Sequence, residues 1–361
     1  MKLGPEQLAR LRLIRTEKIG PVSYRQLLAR FGSGEAALAA VPDLAARGGG
    51  RAPRLADAEQ VAREADAVER LGARYLFLGQ GLYPAALAQI DSAPPVLVAA
   101  GQLSLFDKPM VAMVGARNAS AAACRFARAL AGELGHAGAV VVSGLARGID
   151  TAAHDASLAT GTVAVIAGGI DIFYPPENEA RQRAIAAQGV LLAEQPPGVE
   201  PRARHFPYRN RIIAGLAAGT LVVEAAPRSG SLITARYAAE FGREVMAVPG
   251  SPLDPRAQGC NQLIREGATL VQNAADVLEA LRPIGMGQVR QAPERYDPAP
   301  ADPDNSARRL LLDLLGPVPV PVDELLRQSG VPAGVAQTVL LELELAGRLE
   351  RHAGGKVSLV A

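Results

Sequence analysis

Residues 206–234, FPYRNRIIAGLAAGTLVVEAAPRSGSLIT, predict a helix, a buried strand and a second helix in direct succession. Arg209 and Arg211 fall at the start of the first helix, and residues 220–223 form the apolar strand. The polar turn 227–231 then opens the second helix. A strand that enters a helix through Gly and Ser leaves backbone N–H groups unpaired at the positive end of the helix dipole. The segment therefore predicts an anion-binding turn.

Short apolar runs rich in β-branched residues alternate with helical segments on both sides of this stretch. The runs are residues 111–114, 140–143, 163–167, 190–193, 221–224 and 245–248. Continuous apolar runs of this kind indicate a parallel sheet with helices on both faces. The sequence thus predicts an α/β fold, a doubly wound and mostly parallel sheet, over residues 76–286. Ligands of such sheets bind beyond the carboxyl ends of the strands.

The turns that follow five of these strands combine glycine, arginine, small hydroxyl residues and aromatic rings. Gly115 and Arg117 follow the first strand, and Arg147 follows the second. Residues 202–211 contain four arginines together with Phe206 and Tyr208. Repeated phosphate-binding turns beside aromatic rings are typical of a site for an extended single strand, whose charges repeat and whose bases stack.

The overall charge does not by itself indicate a nucleic-acid partner. The chain has 38 Lys and Arg against 36 Asp and Glu, so any such site must be a local concentration of cations. Only four of the cations are lysine; guanidinium suits bidentate phosphate contacts, although a GC-rich genome gives the same bias. Two cysteines and four scattered histidines fit neither a disulfide framework nor a metal site.

Common nucleotide-binding patterns are also missing from the sequence. Neither the dinucleotide Gly-x-Gly-x-x-Gly pattern nor the Walker sequence with its lysine occurs. No uncharged apolar run reaches the roughly 18 residues that a membrane helix needs. We expect a cytoplasmic protein without metal, cofactor or membrane anchor.

Each candidate in the proposed strand-binding edge has a structural alternative. Arg117 could pair with a nearby carboxylate on the surface, and Phe206 could be a hydrophobic staple packed on the core. Arg209 and Arg211 point about 200° apart on a helix, so we expect only one of them to face a ligand. Arg211 is favoured for that role, with Arg209 structural.

Two acidic residues invite a catalytic interpretation. Asp150 starts the helix after Gly148 and is better explained as a cap than as a catalyst. Glu224 ends a buried strand and is the best candidate for acid chemistry, because burial raises a carboxyl pKa. We favour a structural salt bridge between Glu224 and an arginine of the edge. No catalytic residue is assigned.

The two ends of the chain predict separate small domains. Residues 1–75 are helical, and Lys18-Ile-Gly-Pro fits either a helix-hairpin-helix turn or a plain turn between helices. Residues 287–306 read as a linker. Residues 307–361 predict helices over 307–315, 322–328 and 333–346 and a hairpin over 348–360, which is a winged-helix outline.

The third helix of this tail is unsuited to reading a duplex. It carries Gln337, Thr338, Glu342 and Glu344, and its first cation comes only at Arg348. Its glutamates would repel phosphate, whereas a recognition helix presents cations or amides to the groove. The tail is therefore predicted to contact protein.

Several runs in the central region closely resemble the bacterial DNA processing protein A (DprA, or Smf) family. They are VGAR at 114–117, SGLARGIDTAAH at 143–154, FYPPEN at 173–178, FPYRNRIIAGL at 206–216, RSGSLITA at 228–235 and VPGS at 248–251. The resemblance covers about residues 95–275. It implies an extended Rossmann domain between a helical domain of the sterile-alpha-motif (SAM) type and a winged-helix domain.

The resemblance implies a protein that binds incoming single-stranded DNA in natural transformation, forms a homodimer through the Rossmann domain and loads the recombinase RecA. Together with the turns above, it gives these candidate DNA-binding residues: Gly115, Arg117, Arg147, Arg202, Arg204, Phe206, Arg209, Asn210, Arg211, Arg228, Ser229, Gly230 and Ser231. This chain has Pro176 and Ala203 where some members carry lysines, and we expect Arg202 or Arg204 to supply the cation.

Two other functions are compatible with parts of the sequence. Related Rossmann proteins hydrolyse nucleotide N-glycosidic bonds with a Gly-rich turn and a glutamate, which 227–231 and Glu224 superficially match. A transcription regulator would act through the winged helix, and the acidic third helix argues against it.

Overall fold

The computed structural model describes residues 2–282, 301–352 and 354–360, which form two compact units. The central unit contains residues 66–282. The terminal unit joins residues 2–65 to residues 301–360. Most of the predicted linker, 287–300, lies outside the described residues.

The central unit is built on a nine-stranded sheet with the order β1-β2-β6-β5-β4-β3-β7-β8-β9. Its strands are β1 Arg74–Phe77, β2 Val96–Gly101, β3 Met110–Val114, β4 Val140–Ser143, β5 Thr162–Ile166, β6 Val190–Ala193, β7 Gly219–Val222, β8 Glu244–Ala247 and β9 Thr269–Leu270. Strands β3 to β9 pair in parallel, and β2 pairs antiparallel with both β1 and β6. The predicted doubly wound, mostly parallel sheet is confirmed.

Helices cover both faces of this sheet. They are α5 Ala85–Ala88, α6 Ala121–His136, α7 Ile149–Ser157, α8 Glu179–Gln188, α9 His205–Leu216, α10 Gly230–Glu240, α11 Gln258–Arg265 and α12 Ala274–Ala280. Side chains alternate along each strand, so Val140 and Val142 pack with α9 on one face while Val141 packs with α6 and α7 on the other. The strand order reverses between β3 and β7, and ligands of such folds bind at this point.

The terminal unit combines an N-terminal group of helices with a winged-helix domain. Its elements are α1 Pro5–Arg15, α2 Pro21–Phe31, α3 Gly34–Arg47, the start of α4 Ala58–Arg70, α13 Asn305–Leu314, β10 Val320–Pro321, α14 Val322–Ser329, α15 Ala333–Leu345, β11 Leu349–His352 and β12 Lys356–Leu359. β12 pairs antiparallel with β10 and β11. The predicted winged-helix outline is confirmed, with the short β10 added.

Helix α15, the third helix of the winged-helix domain, packs on α3 inside the terminal unit. Leu341 and Leu345 of α15 are buried in the core of the N-terminal helices. The backbones approach so closely that a Cβ on Gly48 would lie 2.1 Å from the carbonyl oxygen of Glu342. A face of α15 is therefore covered by the chain's own N-terminal helices.

The polar residues of α15 are also engaged within this unit. Gln337 accepts from Gln26 at 3.2 Å, and Thr338 accepts from Arg30 at 3.2 Å. Glu342 is 1% exposed and accepts hydrogen bonds from Nε and Nη2 of Arg308, both at 3.1 Å.

Across the described residues, no helix combines the length and the apolar character needed to cross a bilayer.

Candidate nucleic-acid interface

Three turns meet at the carboxyl ends of β3, β4 and β7, where the strand order reverses. The amide of Ala116 donates to the carbonyl oxygen of Glu224 at 2.7 Å. A Cβ on Gly115 would lie 2.5 Å from Cγ1 of Ile149, and one on Gly148 would lie 2.2 Å from the carbonyl oxygen of Ala116. The turns are in direct contact, so their side chains lie at one edge of the sheet. We call the surface at this edge the rim, and it comprises residues 115–120, 144–148, 172–178, 202–206 and 227–231.

Arg117, Phe206 and Tyr174 form a row on the rim. The guanidinium carbon of Arg117 lies 5.2 Å from the centre of the Phe206 ring. The Phe206 ring lies 5.6 Å from that of Tyr174, with 53° between the ring planes. Arg117 is exposed and Phe206 is half-buried. The turn after β3, the turn after β5 and the start of α9 thus bring a cation beside two aromatic rings.

The turn 227–231 has the geometry of an anion-binding helix start. Arg228 is exposed with φ +66°, a left-handed conformation rare outside glycine. Ser229 is the N-cap of α10, and its hydroxyl lies 2.8 Å from that of buried Ser231. Exposed Gly230 accepts a hydrogen bond from Asn210 Nδ2 at 3.2 Å, which ties this turn to α9.

Arg202 and Arg204 are both exposed, just before α9. Burial, and then the charges of Arg204 and Arg202, lower the pKa of His205, whose Nδ1 accepts from the Arg202 amide at 3.3 Å. The exposure of both side chains does not distinguish them, so the expectation that Arg202 or Arg204 supplies the cation stays a prediction.

Arg147 belongs to the same edge but already has an acidic partner. Its Nε lies 2.7 Å from Oε1 of Glu177, and both side chains are exposed. A phosphate would have to compete with this carboxylate for the Arg147 guanidinium.

Arg209 and Arg211 are both buried, so the expectation that one of them faces outward is wrong. Nη1 of Arg209 donates to the carbonyl oxygen of Val165 at 2.7 Å, and burial lowers the pKa of Arg209 to about 10. Arg211 donates to the carbonyl oxygen of Ser92 and to Glu194, each at 2.5 Å. Helix α9 is packed on the sheet on one side and on α5 on the other, so both directions lead into the protein.

The acidic candidates are held by the fold. Asp150 accepts from the amides of Gly144 and Ala146, each at 3.2 Å, and burial raises the pKa of Asp150. Its carboxylate thus holds the turn before α7, whose N-cap is Gly148. Glu224 accepts from the Ser120 amide at 2.9 Å and from the Ser120 hydroxyl at 2.7 Å. In the part of the chain that the structure describes, this serine takes the place of the expected arginine.

The sequence prediction missed Tyr174. Its ring is 45% exposed and contacts Phe206 from the turn after β5. The available signal was an aromatic pair, Phe173 and Tyr174, in the segment that follows the predicted strand 163–167. An apolar pair at that place is equally typical of core packing.

Comparison with known families covers nearly the whole chain. A family model described as DNA recombination-mediator protein A matches residues 74–282. A DprA-like N-terminal HHH domain matches residues 5–67, and a DprA winged helix domain matches residues 295–355. The N-terminal helices, the central sheet and the tail therefore match parts of a single family in order.

Curated relatives and solved structures agree. DNA processing protein DprA of Streptococcus pneumoniae is 48% identical over 202 residues, covering 54% of this chain and 70% of that protein. Protein Smf of Escherichia coli is 40% identical over 282 residues, covering 77% of this chain and 75% of that protein.

The structure of the S. pneumoniae protein is similar with a TM-score of 0.62 and 36% identity, over 77% of this chain and 98% of that one. A Helicobacter pylori DNA processing protein A gives a TM-score of 0.53 and 29% identity, over 58% of this chain and 95% of that one. On this agreement of sequence, domain order and fold, the chain belongs to the DprA/Smf family of DNA processing proteins.

Proposed function

We propose that this protein binds single-stranded DNA, without sequence preference, along the rim of its central unit. The observation that supports the proposal is that the Arg117 guanidinium carbon lies 5.2 Å from the centre of the Phe206 ring, because a cation beside an aromatic ring suits a phosphate and a stacked base. No bond is made or broken at this site. The H. pylori relative was described as having a single-stranded DNA binding mode, which supports the same role here.

The charges of the rim fit an extended polyanion. Arg117, Arg202, Arg204 and Arg228 are exposed, and none has a carboxylate partner among the described residues. Ser229, Gly230 and Ser231 present the start of α10, where amides and the helix dipole favour phosphate. Arg209 and Arg211 are left out of the binding surface because their guanidinium groups are buried and bonded inward.

Membership of the DprA/Smf family supports a proposal about the wider role. We propose that the protein acts in the cytoplasm as a homodimer formed through the central unit, and that it hands its strand to RecA during natural transformation and recombination. Sedimentation of the full chain tests the dimer. The handover is tested with RecA and a DNA strand that is already covered by single-strand-binding protein. Adding this chain should shorten the lag before RecA hydrolyses ATP.

Binding to a labelled oligothymidylate, compared with a duplex of the same length, tests the central claim. Affinity should come from counterion release, with a slope of about −0.7 in log K against log salt per neutralised phosphate. Arg117→Ala should make the slope shallower by about 0.7. Arg63→Ala, which removes an exposed arginine of α4 paired with Glu59, should leave the slope unchanged.

Two results would replace this function with another. Equal or tighter binding of the duplex would contradict a single-strand site. Release of free base from a nucleoside monophosphate, abolished by Glu224→Gln, would indicate an N-glycosidic hydrolase.

A further inference from the structure

Tyr174 is presented on the rim by a turn that is held on both sides. Nδ2 of Asn178 donates to the carbonyl oxygen of Leu145 at 2.9 Å, and Nε2 of Gln182 donates to that of Ile172 at 2.9 Å. Both amides come from residues that are at most 3% exposed. The ring therefore projects from a fixed backbone, and ordering it on a ligand costs little entropy.

The neighbouring rings differ in how much of their surface is open. Phe173 lies under the guanidinium of Arg183, at 4.5 Å from the ring centre. Phe206 is half-buried and is contacted by Arg117 on one flank and Tyr174 on another. Tyr174 keeps 45% of its surface exposed and sits at the end of the row. An incoming base thus meets the Tyr174 ring without displacing the Arg117 contact.

We propose that Tyr174 is a second ring on which an unpaired base stacks, next to Phe206. The inference rests on the proposed function, since it adds a base-binding residue to the same single-stranded DNA site. Arg117 would contact the phosphate beside that base. A paired base has both faces covered by its neighbours in the duplex, so this ring would select against duplex DNA.

A tryptophan reporter tests the contact directly, because the chain contains no tryptophan. Oligothymidylate should quench the fluorescence of the Tyr174→Trp variant and saturate at the concentration at which anisotropy shows binding. Leu71→Trp is the control. Leu71 is 47% exposed and precedes β1, which runs in the same direction as β6, so Leu71 lies at the opposite edge of the sheet.

Affinity measurements give a second, independent readout. Tyr174→Ala should weaken oligothymidylate binding about 5- to 150-fold with an unchanged salt slope, because stacking carries no charge. Tyr174→Phe should bind as wild type does. Urea unfolding of each variant shows whether the fold is intact, and Tyr174→Phe and Tyr174→Trp keep a ring at this position in any case.

The possible results distinguish a failure of this inference from a failure of the proposed single-stranded DNA binding. Wild-type affinity in Tyr174→Ala, or equal quenching in the two tryptophan variants, would overturn the role of Tyr174. A loss of affinity in Phe206→Ala that Tyr174→Ala does not share would assign stacking to Phe206 and also overturn it. If the wild-type chain itself does not bind the oligonucleotide, the proposed function fails instead.

Discussion

Arg211 donates from Nη2 to Oε1 of Glu194 at 2.5 Å, and only 5% of the Arg211 side chain is exposed. The same guanidinium also donates to the carbonyl oxygen of Ser92. An arginine so placed joins α9 to the loop before β2 and to the turn after β6. The Arg211 charge therefore stabilises the fold. Its position in an arginine-rich stretch, two residues from Arg209, had indicated a ligand contact instead.

Arg211→Ala should destabilise the central unit by about 3 kcal/mol, because removing one partner leaves the other charge partly buried and unpaired. Urea unfolding measures the loss. For the protein that remains folded, the salt slope of oligothymidylate binding should equal that of wild type. Arg117→Ala is the matched comparison, with wild-type stability and a shallower slope. A shallower slope in Arg211→Ala at unchanged stability would contradict the buried role.

Arg228 combines an exposed charge with a left-handed backbone, φ +66°. This conformation costs a side-chain-bearing residue roughly 1 kcal/mol relative to glycine. The free energy of unfolding of Arg228→Gly, measured in urea, should therefore exceed that of Arg228→Ala by about 1 kcal/mol. Both variants should lose the same affinity for oligothymidylate. Equal stability of the two variants would show that the turn relaxes after substitution. Wild-type affinity in both variants would show that Arg228 does not contact the oligonucleotide.

Gly48 ends α3 where that helix meets α15, and a Cβ there would lie 2.1 Å from the backbone oxygen of Glu342. Gly48→Ala should cost about 1–3 kcal/mol, because backbone atoms must move apart. Gly316→Ala is the same chemical change where a Cβ meets nothing within 4 Å, and it should be close to neutral. Hydrogen exchange at the amides of α15 measures the effect, and equal protection in both variants would argue against the close contact.

His154 gives the stability of the central unit a dependence on pH. Burial, with a smaller contribution from Arg209, lowers the pKa of His154 to about 3, against the opposing charge of Asp155. Nδ1 lies 2.7 Å from Oγ1 of Thr162, and Nε2 has no hydrogen-bond partner in the described structure. A proton on this ring would therefore be a buried charge.

The sign follows from the two states. The unfolded chain binds a proton at His154 below a pKa of about 6.5 and the folded chain does not, so stability is complete above that pH and falls as the pH drops. At pH 5 the loss from this residue should be about 2 kcal/mol. His154→Gln should remove that part of the pH dependence, and His136→Gln, at an exposed position, should not. Identical pH profiles for His154→Gln and wild type would contradict it.

Most strands of the parallel sheet could be predicted because they are short apolar runs with their side chains buried. The six predicted runs overlap β3 to β8 within a few residues. β9 is only two residues long, and β2 lies antiparallel to β6, a direction that no local pattern specifies. Short continuous apolar runs thus identify the strands, while the direction in which strands pair depends on contacts between distant parts of the chain.

The rim could be predicted only in part, for a related reason. Helical spacing gives the angle between Arg209 and Arg211, but not the acceptors around the helix, which come from Val165, Ser92 and Glu194. Turns that follow parallel strands must meet at one edge, so the nearness of Arg117 and Phe206 was within reach of the sequence.

The packing of α15 on α3 determines which truncations of this protein can fold. Cutting the chain before α13 would strip Leu341 and Leu345 from beneath the N-terminal helices and leave an apolar surface open to water. A chain shortened in this way would then aggregate or lose its first domain as well. Point changes on the outer side of the winged helix, such as at Val318, would probe the tail while keeping that shared core closed.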